Sequence, residues 1–365
     1  MIVMKFGGTS VQDAAAIKRV IEIVKGRLSQ SPLVVVSAMA RVTRSLVEIT
    51  SAADQRPLVE ALLVRHLEAC DQLLEGQLLS DTKARVESLC RGILGCHDQP
   101  EVISVGELLS STIVAAAFNA AGIPCGWADA REMVCVGGDR MGGRPDFVKT
   151  EEAVRNALGG HGLTVTQGFI ARTAEGRSAV LGFEGSDYSA AIFGMALDAD
   201  SVEIWTDVDG IRTADPRLVS DTCRIPEISY DEAAEMARLG ARVLHPMTIY
   251  PARTKNIPII VLNTGNPSCE GSRVVRNEDI PDGPKSVALL TLQDSREIGS
   301  KALAGESEGR ALVSLIGRNM SDMHRLAVEE TALCEAAVEP LSISVTVSAS
   351  KAGEIANQIH KKIFG

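Results

Sequence analysis

The sequence predicts an α/β protein with a mainly parallel sheet, followed by a small unit of helices packed on a sheet. Three observations predict it. Short aliphatic runs that end in Gly, Ser or Thr alternate with longer stretches of helical period. Aromatic residues make up only 3% of the 365-residue chain against 45% hydrophobic, so the core is Val, Ile, Leu and Ala, the usual filling of a sheet buried on both faces. From residue 285 the order changes to β, β, α, β, β, α, which closes into one small unit if its first strand joins the edge. At this length two domains are expected.

The net charge of −10 argues against non-specific nucleic-acid binding but leaves room for a small anionic ligand, which needs only a few local cations. Eight cysteines are scattered without a C-x-x-C pair, so neither a disulfide framework nor a zinc site is expected. No leader pattern and no apolar run of about 18 residues is seen, so the expectation is a cytoplasmic protein with no membrane partner.

The first ten residues organise the rest. Met1–Met4 reads as a buried strand, and Lys5-Phe6-Gly7-Gly8-Thr9-Ser10 leads into a helical stretch, Val11–Leu28. A cation, two glycines and two hydroxyls between a strand and a helix N-terminus form a plausible phosphate cradle. It is not a P-loop, because G-x-x-x-x-G-K-[ST] is absent from the chain. The competing reading is an ordinary β–turn–α corner with a snorkelling lysine.

Leu33–Val36 is a second buried strand, running into the hydroxyl-rich turn Ser37–Thr43 with Arg41 beside it. Such a turn at a strand's carboxyl end is where open α/β sheets bind ligands; turn and N-cap chemistry is the alternative. Residues 45–100 read as a helical hairpin, with Asp81 capping its second helix, and hold no obvious chemistry. Glu101–Ser111 begins strand-like and turns helical at Gly106-Glu107, where Glu107 either holds an amine or serves the helix dipole. Strands follow at Pro124–Ala128, Leu163–Phe169 and from Ser178, the last leading to a helix that Ser186 caps and Asp187 opens.

Ser201–Trp205 is a strand followed by TDVDGIRTADPRLV, denser in polar groups than a connecting loop needs. Ser229–Leu239 and a short segment ending at Lys255 are helical, Ile257–Leu262 is a strand, and Asn263–Asp282 is rich in loop formers.

Taken together these motifs resemble the aspartate kinases of the amino-acid kinase superfamily. The matching stretches are KFGGTSV (5–11), VVVSAMARVT (34–43), SVGELLS (104–110), GSDYSAAI (185–192), SVEIWTDVDGIRTADPR (201–217), ISYDEAAEMARLGARVLHP (228–246) and IPIIVLNTGNP (257–267). The resemblance implies a three-layer α/β/α, carbamate kinase-like catalytic domain over residues 1–270, a linker at 271–284 and a ferredoxin-like ACT domain over 285–365. It implies ATP and Mg²⁺ as cofactors, L-aspartate as substrate and 4-phospho-L-aspartate as product. It also implies a homodimer through the ACT region.

Residue by residue, the resemblance makes Lys5 the cation that stabilises the transferring phosphoryl group, with Gly7 and Gly8 as backbone donors. Ser37, Thr43, Glu107, Gly185 and Ser186 fall at substrate positions, Glu107 pairing with the amino group, and Asp187 orients Lys5 or the substrate amine. Thr206, Asp207, Arg212, Arg217 and Arg242 fall in the stretches that hold the nucleotide. One departure stands out: Phe183 occupies the place where the family carries an arginine that grips a substrate carboxylate. Arg172 and Arg41 are the cations available to substitute. The departure keeps open a kinase of the same fold for another amino-acid carboxylate, and a catalytically weak regulatory paralogue. The tail holds roughly one ACT unit where aspartate kinases commonly carry two.

Overall fold

A computed structural model describes residues 1–158, 162–182, 184–241, 244, 246–291, 309–320, 323 and 336–365. The chain divides into two compact units, Met1–Val208 with Tyr250–Cys269, and Asp209–Ile249 with Glu270–Gly365.

In the first unit, β1 (Ile2–Phe6) is buried along its whole length. A 3₁₀ turn (Gly8–Val11) follows, then α1 (Ala14–Lys25), which starts where Asp13 accepts the N–H of Ala16 at 2.8 Å. After β2 (Leu33–Val36) come α2 (Val42–Ser51), α3 (Arg56–Leu73) and α4 (Gly76–Gly92). These are three helices where a hairpin was expected. Asp81 lies inside α4 and accepts from Gln77 one turn back, because the chain break falls earlier, at the extended Leu74 and Glu75.

The strand-like start expected at Glu101 is absent. Gln99–Ala120 is one helix, α5, and Glu107 sits in its middle. Every residue from Val102 to Phe118 is buried, so the segment carries no amphipathic period to announce a helix. Among the described helices α5 alone is long and apolar enough to cross a membrane, and 94% of that stretch is buried inside protein.

Next come β3 (Gly126–Trp127), α6 (Ala130–Met133), β4 (Cys135–Gly137), β5 (Arg144–Pro145), α7 (Phe147–Leu158), β6 (Thr164–Gln167), β7 (Ile170–Thr173), β8 (Ser178–Val180), α8 (Gly185–Ala196) and β9 (Ser201–Thr206). Beyond them lie β10 (Glu227–Ser229), α9 (Tyr230–Arg238), α10 (Pro246–Lys255) and β11 (Ile259–Asn263).

The first unit's main sheet runs β11-β9-β1-β2-β6-β3, all parallel. Helix α5 packs on β2 and β6, and α8 packs on β1 and β9. The chain leaves β1 toward β2 on one side, while β9 pairs on the other. Strand order therefore reverses at β1, the place where open α/β sheets form a crevice. A small sheet, β5-β4-β7-β8, completes the unit.

In the second unit β10 pairs in parallel with β12 (Ser272–Val275), so residues 271–284, expected as a linker, carry a strand. Helix α9 opens with a capping box between Ser229 and Glu232. The tail forms an antiparallel sheet, β13-β14-β16-β15, from β13 (Gly283–Thr291), β14 (Arg310–Arg318), β15 (Ala337–Glu339) and β16 (Ser342–Ser348). It closes with α11 (Ala349–Phe364), an ACT-like arrangement with the first strand at the edge as expected. The helix expected between Met320 and Glu330 lies outside the described residues, Met320 and Met323 aside.

The unit boundary falls elsewhere than the expected domain boundary. Ala214 and Val219 share a core with Val313, Val345 and Ile359, and Val287 donates its N–H to the carbonyl of Thr213 at 2.8 Å. Apolar burial therefore draws Asp209–Ile249 into the second unit.

Candidate active site

A cavity of about 390 Å³ opens at the carboxyl ends of β1 and β2. Lys5, Gly8, Ser37, Thr43, Glu107, Gly185, Ser186 and Asp187 all line it, from four separate stretches of sequence. Its remaining described walls are Ala38, Met39, Ala40, Arg41, Phe169, Gly182 and Glu184.

Lys5 is on β1 and only 8% exposed. Its ammonium lies 2.5 Å from Oδ1 of Asp187, in the first turn of α8. This pair brings the end of β1 and the start of α8 together across the crevice. Gly8 opens the 3₁₀ turn, where the first N–H groups have no partner inside the helix. A Cβ there would stand 2.8 Å from the carbonyl oxygen of Ala38, so only glycine permits this approach. Gly7 differs from expectation: its N–H donates to the carbonyl of Trp205 at 3.2 Å, extending the β1–β9 ladder, and it does not line the cavity. Its amide is spent on the sheet and is not free for an anion.

The turn Ser37–Thr43 is clamped at successive backbone groups. Ser37 donates its N–H to Phe6 at 3.1 Å, and its carbonyl accepts from Ser110 Oγ at 2.7 Å. The N–H of Ala38 donates to Oε1 of Glu107 at 3.1 Å, and that of Ala40 to the carbonyl of Gly8 at 3.0 Å. Arg65 of α3 donates to the carbonyl of Ala40 at 2.8 Å. Sequence reasoning missed Arg65 and Ser110, because a side chain that holds a distant backbone carbonyl leaves no local pattern.

Glu107 is 3% exposed, and its second oxygen, Oε2, has no hydrogen-bond partner among the described residues. Burial lifts its carboxyl from the usual 4.5 to about 8, against the pull of the Ala38 N–H. A buried, under-satisfied carboxyl beside a cavity is suited to an incoming cation. Gly106 lets α5 come this close: a Cβ would lie 2.9 Å from Ala38 Cβ and 3.0 Å from Leu46 Cδ1.

Ser186 is not the N-cap of α8. Glu184 occupies that position with φ of 52°, and Gly185 and Ser186 form the first turn. Arg41, Phe169 and Glu184 all line the cavity and all have positive φ, at 69°, 66° and 52°. Backbone strain of this kind concentrates at functional sites.

Thr206 ends β9 and donates to Asp207 Oδ1 at 3.3 Å; neither lines this cavity. Arg212 and Arg217 belong to the second unit. There Arg212 donates to Thr222 Oγ1 at 2.6 Å, and Arg217 pairs with Asp215 at 2.5 Å. Arg242 and Phe183 lie outside the described residues. Arg172 is exposed on β7 and does not line the cavity. The described residues contain no cluster of three or more His, Cys, Asp or Glu that could hold a metal ion.

Strand order in the parallel sheet reverses at the strand that carries Lys5, and an acidic helix start stands against that lysine. The amino acid kinase family matches residues 1–263, and the chain belongs to that family. Its kinship there is with the aspartokinases. It is 34% identical over 331 residues to lysine-sensitive aspartokinase 3 of Escherichia coli K12, covering 85% of this chain and 73% of that one. It is 35% identical over 303 residues to chloroplastic bifunctional aspartokinase/homoserine dehydrogenase 1 of Arabidopsis thaliana, of whose length it spans 33%. The crystal structure of E. coli aspartokinase III in complex with aspartate and ADP matches with a TM-score of 0.83 at 27% identity, over the whole of both chains.

Proposed function

We propose that this chain transfers the γ-phosphoryl group of ATP to the side-chain carboxylate of L-aspartate, giving 4-phospho-L-aspartate and ADP. The observation that carries this reading is one cavity holding the Lys5–Asp187 pair together with the half-satisfied carboxyl of Glu107. The E. coli relative's complex with aspartate and ADP supports the same pair of ligands.

In the reaction a carboxylate oxygen attacks the γ-phosphorus while the bond to the β–γ bridging oxygen breaks toward ADP. Both reactants are anions, so positioning and charge neutralisation dominate. The Lys5 ammonium offsets charge on the transferring group, and Asp187 holds that ammonium in place. The N–H groups of Gly8 and Ser186 are assigned to the same anion, since those of Gly185 and Asp187 already donate to the carbonyls of Gly182 and Glu184. Glu107 takes the substrate ammonium, which supplies the partner its Oε2 lacks. Ser37, Thr43 and Ser186 add hydroxyls around the substrate, and Thr206 with Asp207, at the end of β9 and outside the cavity lining, are assigned to the nucleotide.

Magnesium would enter with the nucleotide phosphates, and one or two protein carboxylates would suffice to hold it. It would supply further charge neutralisation. We place the enzyme in the cytoplasm, in keeping with seven described cysteines that are all free thiols. We also assign it a homodimer through the ACT-like sheet, whose edge strand β15 is three residues long and exposes Val338.

Hydroxylamine trapping of the acyl phosphate tests the reading. Hydroxamate formed from ATP and aspartate supports it. Hydroxamate with a different amino acid alone supports a kinase of the same fold for another carboxylate. Nucleotide binding without any hydroxamate supports a regulatory paralogue.

A further inference from the structure

We infer that Arg41 grips the α-carboxylate of the amino-acid substrate and so makes the enzyme demand a free α-carboxylate. The inference rests on the aspartate kinase reading and deepens it.

An amino-acid acceptor of this kind brings one ammonium and two carboxylates into the cavity. The ammonium has Glu107, and the reacting carboxylate must meet the phosphoryl group beside Lys5. The second carboxylate needs a partner of its own. Among the described residues lining the cavity the cations are Lys5 and Arg41, against the acids Glu107, Glu184 and Asp187. Lys5 is already paired with Asp187 at 2.5 Å. Arg41 is exposed, lines the cavity, and makes no side-chain hydrogen bond or ion pair among the described residues. A guanidinium presents a planar fork that matches a carboxylate in two parallel bonds.

The backbone beneath Arg41 is fixed in place. The N–H of Ala40 is held by Gly8 and its carbonyl by Arg65, while the carbonyl of Arg41 accepts from Ser45 at 3.1 Å. Arg41 itself has φ of 69°, a conformation that costs an L-residue about 1–2 kcal/mol and that glycine takes freely. The site therefore keeps a charged fork where the backbone alone would favour glycine. Arg172, the other arginine open to this role, points from β7 without reaching the cavity lining.

The test is steady-state kinetics of the full chain with L-aspartate and with its α-amide, for wild type, Arg41→Gly, Arg41→Lys and Arg172→Ala. Glycine suits the backbone at position 41, so Arg41→Gly removes the fork without unfolding the turn. Arg41→Gly is expected to raise KM for aspartate about ten- to a hundredfold. Its kcat should stay within about threefold, the pattern of a lost ground-state grip. The same substitution should leave kcat/KM for the α-amide unchanged, since the amide offers no carboxylate to lose. Arg41→Lys should fall between, and Arg172→Ala should match wild type. The inference is overturned if Arg41→Gly affects aspartate and its α-amide equally, if it affects neither, or if Arg172→Ala produces the rise instead. A wild type that turns over no aspartate rejects the kinase reading and this inference together. An active wild type matched by Arg41→Gly rejects this inference alone.

Discussion

Lys5 Nζ and Asp187 Oδ1 lie 2.5 Å apart, with both side chains nearly buried. One comes from the central strand of the sheet and the other from the first turn of α8. Neither residue forms another salt bridge among the described residues, and the pair ties the strand's end to the helix that faces it. In the proposed reaction this pair would aim the ammonium at an anion, because Asp187 restrains where Lys5 points.

Replacing Lys5 by Met should lower kcat by about a hundredfold or more, the usual cost of removing a fixed charge from a phosphoryl transition state. Asp187→Asn should lower kcat less and leave nucleotide affinity nearer to normal, because it disturbs the aim of the ammonium and not its charge. Each variant strands a nearly buried partner, so a loss of stability of about 3–5 kcal/mol is the upper expectation. ADP release in a coupled assay and thermal melts check these outcomes. Near-normal turnover in Lys5→Met would reject the role given to Lys5.

Glu107 is expected to make both stability and substrate binding depend on pH. Its folded-state carboxyl is lifted from 4.5 to about 8 by burial. Between those values the folded protein holds a proton that the unfolded chain has released, so stability falls as pH rises through this window. Glu107→Gln imitates the protonated acid. It should leave the melting temperature unchanged near pH 4 and raise it near pH 9, where the gain in stability is on the order of 1–3 kcal/mol. Binding of the ammonium requires the carboxylate, so KM for aspartate in wild type should fall from pH 6 to pH 8. In Glu107→Gln that slope should vanish and KM should be high throughout. Melting curves and KM across this range decide the matter, and a pH-independent melting difference would contradict it.

Gly106→Ala should harm the site without touching a ligand. The added methyl would sit 2.9 Å from Ala38 Cβ and 3.0 Å from Leu46 Cδ1, so α5 must move away from the turn that Glu107 clamps. Overpacking of this kind costs about 1–3 kcal/mol. KM for aspartate should rise several-fold with the displacement of Glu107. A melt and a KM measurement on the variant check both effects; unchanged values would mean the helix has slack at this position.

Local pattern in the chain was enough to specify the strands and the cradle. Buried aliphatic runs at Ile2–Phe6, Leu33–Val36 and Ser201–Thr206 announced parallel strands, and the turns that follow the first two supply walls of the cavity. Glu107 and Asp187 were also legible as candidates, although Glu107 was assigned to a junction and lies in mid-helix. What tertiary structure alone decided has a common physical cause: it depends on contacts between segments far apart in sequence. Complete burial of α5 erased the amphipathic period by which a helix is recognised. The ladder bond that occupies the Gly7 amide comes from Trp205, the clamp on Ala40 comes from Arg65, and the packing of Ala214 and Val219 moved Asp209–Ile249 into the second unit. The choice between Arg41 and Arg172 was of the same kind, since two arginines are equivalent as letters and differ only in whether the fold turns them toward the cavity.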